Sequence, residues 1–157
     1  MREVRGTFDA RGRRFALVAS QFNELVTSKL VEGAVACLRA HGIAEEDLVV
    51  VWVPGAFELA LAARRLAASE LYDGVVCLGA VIRGETAHFD YVAGEAARGI
   101  ADAAAGTGLP VMFGVLTTDT LEQALDRAGG KHGNKGWDAA MGAMQMASVL
   151  DQLPEKD

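Results

Sequence analysis

Four almost uninterrupted apolar runs, residues 14–19, 48–53, 74–82 and 110–116, constrain the fold of this chain more than any other feature. None alternates apolar with polar residues, as a strand with one wet face does. Strands that read as continuous Val, Ile, Leu and Ala are covered on both faces, the condition of a parallel sheet lying between helices. Between the runs, apolar residues recur at helical spacing. Leu25, Leu30, Val31, Ala34, Val35 and Leu38 predict a helix over about 24–41, and Gly42 follows where a C-cap glycine belongs. Further helices are predicted over about 56–68, about 86–106, from Asp119 to the glycines at 129–130, and over 137–150. Asp119 reads as an N-cap with Glu122 three residues on, as in a capping box.

Strand and helix alternate throughout, which defines the class as α/β with right-handed crossovers. The expected architecture is a three-layer αβα sandwich around a central, mostly parallel, about four-stranded flavodoxin-like sheet. Residues 1–157 read as one domain, with a core over about 13–150, an N-terminal arm over 1–12 and a frayed C-terminus over 151–157. The segment Val4-Arg5-Gly6-Thr7-Phe8 departs from the alternation and reads as an extra strand available to a neighbouring copy.

Apolar residues make up 51% of the chain, an excess that suits a packed core and subunit interfaces equally well. The formal net charge of −6 leaves no broad basic footprint, so nucleic acid is not an expected partner. The longest clean apolar run, within 74–82, is far too short to span a bilayer, and no membrane partner is expected. The charged start of the sequence lacks the apolar region of a signal peptide. Cys37 and Cys77 lie in apolar stretches without metal-ligand spacing. Free buried thiols in the cytoplasm are expected, with no metal site.

Ligands of open parallel sheets bind beyond the carboxyl ends of the strands. The segments leaving the strands here are Ser20-Gln21-Phe22-Asn23, Gly55-Ala56-Phe57-Glu58, Arg83-Gly84-Glu85-Thr86-Ala87-His88 and Phe113-Gly114 onward. Phe22 is either a staple against the following helix or a flat wall for a planar heterocycle. Phe113 is either core or a second such wall. Glu58 stands in a first helical turn, where capping alone is a sufficient role. Gly84-Glu85-Thr86 offers backbone N–H groups and a hydroxyl at a helix start, which suits a phosphate, though the spacing is neither a P-loop nor a dinucleotide fingerprint. His88, two residues on, is placed to carry protons. His41 and His132 receive no chemistry. The stretch from Arg127 to Gly136 is glycine-dense, with three cations and no acid. It is either a solvated joint or the cationic half of a phosphate pocket.

Together these segments, with Gly79-Ala80-Val81-Ile82 leading into Arg83–His88-Phe89-Asp90-Tyr91, and Lys131-His132-Gly133-Asn134-Lys135-Gly136-Trp137, resemble the sequence blocks of the lumazine synthase family. They fall in the family's order and the resemblance spans about Gly6 to Leu150. It implies a transferase of riboflavin biosynthesis that condenses 5-amino-6-(D-ribitylamino)uracil with 3,4-dihydroxy-2-butanone 4-phosphate, giving 6,7-dimethyl-8-ribityllumazine, phosphate and water, with no cofactor. By position, it implies that Phe22 stacks on the pyrimidine, that Ala56, Phe57 and Glu58 take the ribityl chain, and that Ala80, Val81 and Ile82 line the heterocycle through backbone groups. Phe113 completes the aromatic clamp. Glu85, Thr86 and Arg127 bind the phosphate, with Lys135 assisting, and His88 shuttles protons.

Imine formation from an aromatic amine needs alignment and proton movement more than an activated nucleophile. Proximity supplies up to roughly 7–11 kcal/mol and a placed imidazole about 10²–10⁴-fold. The family works as a homo-oligomer, with Phe113 and Arg127 from one chain facing Phe22, Glu58 and His88 of the next. The short joint over 129–136 resembles that of members whose pentamers close into a 60-subunit icosahedral shell, and riboflavin synthase is a candidate enclosed partner. The alternative is a lumazine- or flavin-binding or cage-forming relative without catalysis. A flavodoxin or receiver module is disfavoured, because Ser20-Gln21-Phe22-Asn23 is neither a phosphate loop nor an acidic cluster.

Overall fold

The computed structural model describes residues 1–155. Its first strand, β1 (Phe15–Ser20), is buried at every position. It is followed by α1 (Glu24–Ala40), β2 (Leu48–Val53), a 3-10 turn (Ala56–Glu58), α2 (Leu59–Ala68), β3 (Gly74–Ile82), α3 (His88–Thr107) and β4 (Val111–Thr118). A short α4 (Leu121–Asp126), a small ribbon of β5 (Ala128–Gly130) and β6 (Gly133–Asn134), and the long α5 (Lys135–Gln152) complete the chain. The main sheet has the order β2-β1-β3-β4, and every pair is parallel. The expected α/β class and the four-stranded parallel sheet between helices are both present.

Side chains of a strand point alternately to the two faces of its sheet, and in the central strands β1 and β3 both faces are dry. Phe15, Leu17, Ala19, Val76 and Leu78 join α1 and α5 in one apolar cluster. Ala16, Val18, Val75 and Cys77 join α2 and α3 in the other. This two-sided burial is why the strand sequences do not alternate. Each fully buried Leu or Phe contributes roughly 1.5–3 kcal/mol relative to an exposed one.

Several local expectations are corrected. Thr120, not Asp119, caps α4. The Thr120 hydroxyl accepts from the Gln123 N–H at 3.1 Å, and the Gln123 side chain accepts from the Thr120 N–H at 3.2 Å, a reciprocal capping box. Asp119 is unavailable because its carboxylate holds Arg83 at 2.9 Å. The helix expected over 56–68 is a 3-10 turn followed by α2, and the one expected from about 86 starts at His88. The glycine-dense joint contains the β5–β6 ribbon. Residues 4–8 form no strand within the chain. They run along α5, where the Thr7 N–H donates to Ser148 Oγ at 3.0 Å and the Gln152 side chain donates to the Arg5 carbonyl at 2.9 Å. The C-terminus expected to fray from 151 stays helical through Gln152, and Lys156 and Asp157 lie outside the described residues.

Candidate functional site

The chain runs from β1 to the edge strand β2, then crosses back past β1 to β3. This reversal leaves a crevice between the carboxyl ends of β1 and β3, the switch point where doubly wound sheets bind ligands. Two backbone bonds tie the loops there together. The Gln21 N–H donates to the Val53 carbonyl at 2.8 Å and the Phe22 N–H to the Pro54 carbonyl at 3.0 Å. The next residue, Asn23, takes a left-handed conformation (φ 62°), which Asn tolerates better than bulky residues. Its side-chain amide donates to the Ala80 carbonyl at 2.9 Å, bridging the loop to β3.

With its backbone pinned, Phe22 leaves its ring 72% exposed, so it is not a staple under α1. Phe57 and Tyr91 are similarly bare at 61% and 72%. These rings border a cleft with two lobes. One lobe, of about 230 Å³, is lined by Phe22, Ala56, Ala80, Val81, Ile82, Thr86 and His88, with Asn23, Gly84, Phe89 and Val92. The other, of about 510 Å³, is lined by Phe22, Ala56, Phe57, Glu58 and His88, with Pro54, Gly55, Tyr91 and Val92. Phe22, Ala56, His88 and Val92 belong to both, so the imidazole sits where the lobes meet. Glu58 makes no side-chain cap to α2, so capping does not account for its carboxylate.

Loop 83–87, which delivers His88, is braced from its first residue. The Arg83 N–H donates to the Thr118 carbonyl at 2.8 Å. The Arg83 guanidinium lies 2.9 Å from the Asp119 carboxylate, 3.7 Å from that of Asp90 and 4.4 Å above the Phe89 ring. Two acids already engage this cation, so an anionic ligand needs others. The His88 N–H donates to Thr86 Oγ1 at 3.4 Å, which places the Thr86 hydroxyl at the start of α3. Glu85 is exposed on the same loop and borders neither lobe.

The remaining predicted residues gather elsewhere. Phe113, 37% exposed and therefore not core, lines a third cavity of about 430 Å³ with Arg127 and Lys135. That cavity shares no lining residue with the two-lobed cleft. Arg127 donates from Nη1 to the Gln123 carbonyl at 3.0 Å, which fixes the guanidinium over the end of α4. His132 and Asp138 line the same cavity. His132 was passed over in the sequence because a histidine in a glycine-rich turn carries no positional signal. Only the ribbon's turn, held by the His132 N–H donating to the Asp126 carbonyl at 2.7 Å, brings it into the cavity that Arg127 lines. Asn23 was missed likewise, although an Asn directly after an exposed ring at a strand end is a recognisable left-handed turn residue.

Fold and crevice together define a doubly wound α/β protein that presents an aromatic, histidine-bearing small-molecule cleft at its switch point and a separate cationic cavity. Comparison with known proteins makes this specific. The family model described as 6,7-dimethyl-8-ribityllumazine synthase matches residues 12–151. A relative from Desulfatibacillum aliphaticivorans, itself named 6,7-dimethyl-8-ribityllumazine synthase, is 52% identical over 152 residues, 97% of this chain and 98% of that one. The chain belongs to the 6,7-dimethyl-8-ribityllumazine synthase family, transferases of riboflavin biosynthesis. Among the described residues no helix is long and apolar enough to cross a membrane.

Proposed function

We propose that the two separate cavities are complementary halves of one catalytic site, completed when the cationic cavity of one copy meets the aromatic cleft of the next. The carrying observation is their composition: one half holds exposed rings and His88 without a free strong cation, the other holds Arg127 and Lys135 beside Phe113, His132 and Asp138. Neither half alone offers both a slot for a planar pyrimidine and a countercharge for a phosphate.

In this reading the chain is a single domain whose residues 1–12 form an arm. Phe22 and the partner copy's Phe113 clamp the ribitylaminouracil. Ala56, Phe57 and Glu58 take the ribityl chain, with Glu58 accepting from a hydroxyl, and Ala80, Val81 and Ile82 line the ring. Because Asn23 already engages the Ala80 carbonyl, backbone recognition falls chiefly to Val81 and Ile82. Thr86 and Glu85 at the start of α3, with Arg127 and Lys135 across the seam, hold the phosphate of the butanone. The exocyclic amine attacks the ketone, water leaves as the imine forms, phosphate departs, and ring closure releases a second water. His88 relays the protons between these steps.

The exposed apolar side chains Leu25 (62%), Leu61 (75%) and Leu71 (57%) favour an assembly that covers them. We assign a pentamer, closing to a 60-subunit shell, in the cytoplasm, with riboflavin synthase as a candidate partner. The test of the catalytic reading is turnover: purified protein with both substrates forms the lumazine chromophore. Binding of the pyrimidine without product would overturn catalysis and leave a mere binder.

A further inference from the structure

Arg127 and Lys135 lie eight positions apart, yet the ribbon joins them directly. The Lys135 N–H donates to the Arg127 carbonyl at 2.8 Å, and Ala128 pairs with Asn134 between them. The ribbon is short, and apart from the buried Ala128 none of its residues is buried, so apolar packing does little to fix the end that carries Lys135. Ala128 anchors one end of it in the core, and a polar clasp from Asn134 ties down the other. The Asn134 side-chain oxygen accepts from the Trp137 N–H at 3.1 Å, capping α5, while its amide donates to the Lys29 carbonyl in mid-α1 at 3.0 Å.

The seat for this amide is a notch that only glycine provides. A Cβ on Gly33 would stand 2.3 Å from Asn134 Oδ1 and 2.5 Å from Nδ2. A Cβ on Gly136 would stand 2.0 Å from the Leu30 carbonyl oxygen, so the first turn of α5 rests on the α1 backbone itself. Glycine inside a helix is destabilising relative to alanine. Its place in the middle of α1 follows from the amide it accommodates. One residue therefore caps a helix, bonds a second helix and occupies a rung of the ribbon that ends in both cations.

We propose that Asn134, seated in the Gly33 notch, is a positioning residue that sets the Arg127–Lys135 pair for the phosphate-bearing substrate. This rests on the reading of those cations as the phosphate half of the site. A residue that only stabilised the fold would lower activity without regard to substrate. A positioning residue for the cations weakens one substrate selectively.

The experiment compares wild type with Asn134→Ala, Asn134→Ser, Gly33→Ala, Gly33→Ala/Asn134→Ala and Arg127→Ala, measuring KM for each substrate, the inhibition constant of inorganic phosphate, and thermal melting. Serine keeps a cap for α5 but cannot also reach Lys29, so Asn134→Ser retains near wild-type melting and isolates the clasp from the cap. Expected are an increase of about tenfold, one decade or 1.4 kcal/mol, in KM for the butanone phosphate and in the phosphate inhibition constant for Asn134→Ser and Gly33→Ala. KM for the pyrimidine stays unchanged. The double variant should be no worse than Asn134→Ala, because both changes break one contact. Wild-type phosphate inhibition in a folded Asn134→Ser would overturn the proposal while leaving the phosphate reading intact. Unchanged inhibition in Arg127→Ala would overturn the phosphate reading, and the proposal with it.

Discussion

His88 stands where the two lobes of the cleft meet, and the proton-carrying role proposed for it makes its loss tolerable. His88→Ala should leave a slow but measurable enzyme, with kcat reduced by about 10²-fold, the low end for a placed general acid–base. Arg127→Ala should be worse in kcat/KM, because the departing phosphate loses its strongest countercharge. Steady-state assays of the two variants settle this, and equal, negligible effects contradict both roles. The two thiols make a second residue-scale case. Burial pushes Cys77 up from 9.0 to about 12. Burial, reinforced by the charge of Asp138, pushes Cys37 from 9.0 to about 11. In the native protein at pH 8 neither thiol should react with a disulfide-exchange reagent, and both should react once denaturant is added. The folded chain holds these protons where the unfolded chain releases them, so both contributions to stability are complete below pH 9 and fall away as pH rises through 9 to about 12. Cys77→Ala should flatten that alkaline decline in denaturant titrations. At this scale the site was partly legible. Residue types at strand ends pointed to Phe22, Glu58 and His88, but the direction of a ring is not written in its position. By position alone Phe22 is even between staple and wall and Phe113 leans to core; the family resemblance, not residue type alone, points both at the site, and their exposure agrees with that. The partnership of Asn134 with Lys29 spans 105 positions and has no local signature.

Elements follow from shorter-range rules, and their ends show where those rules compete. Asp119 and Thr120 are adjacent and both able to cap, and the winner depends on Arg83, thirty-six positions away, which claims the Asp119 carboxylate. Thr120→Ala should therefore cost about 1 kcal/mol, the usual worth of an N-cap. Asp119→Ala should leave the α4 cap intact and instead loosen loop 83–87. Urea unfolding of the two variants, with hydrogen exchange over residues 83–92, separates these effects. Packing of β4 against α5 gives a sharper case. A Cβ on Gly114 would lie 2.7 Å from the Cys77 carbonyl oxygen, 2.8 Å from Leu78 Cδ2 and 3.2 Å from Ala139 Cβ. The first contact is with backbone, which has little room to yield. Gly114→Ala should cost about 1–3 kcal/mol by overpacking, and because Phe113 is its neighbour, pyrimidine affinity should weaken as well. The four strands and the four long helices were legible because two-sided burial removes alternation and one-sided burial imposes helical spacing. The ribbon was not, since β5 and β6 together carry only Ala, Gly and Asn, residues that read as a joint.

The whole molecule poses a question that a single chain cannot answer within itself: how rings and imidazole in one cavity act with cations in another that shares none of its lining. The sequence carries no local mark of this division, because both halves lie on one chain and only three-dimensional folding separates them. If each site draws its cleft from one copy and its cations from the neighbour, two inactive chains must be able to repair each other. The pairing is heterologous, and in a closed ring every subunit gives one half to each of two neighbours. Mixing His88→Ala and Arg127→Ala chains at equal amounts, after dissociation and reassembly, then leaves about one site in four with both groups intact and about one in four with neither. Activity should rise toward a quarter of the wild-type value, well above the average of the two separate variants, and should depend on co-assembly: the same proteins mixed without dissociation should show no gain. A double variant carrying both substitutions on one chain, co-assembled with wild type, should retain about a quarter of sites intact as well, since each functional site needs two unaltered chains. Sites contained within single chains would instead leave half intact in that second mixture and none in the first. The two mixtures thus distinguish a shared cleft from a private one without reference to the size of the assembly, which light scattering measures separately as a ring or a 60-subunit shell.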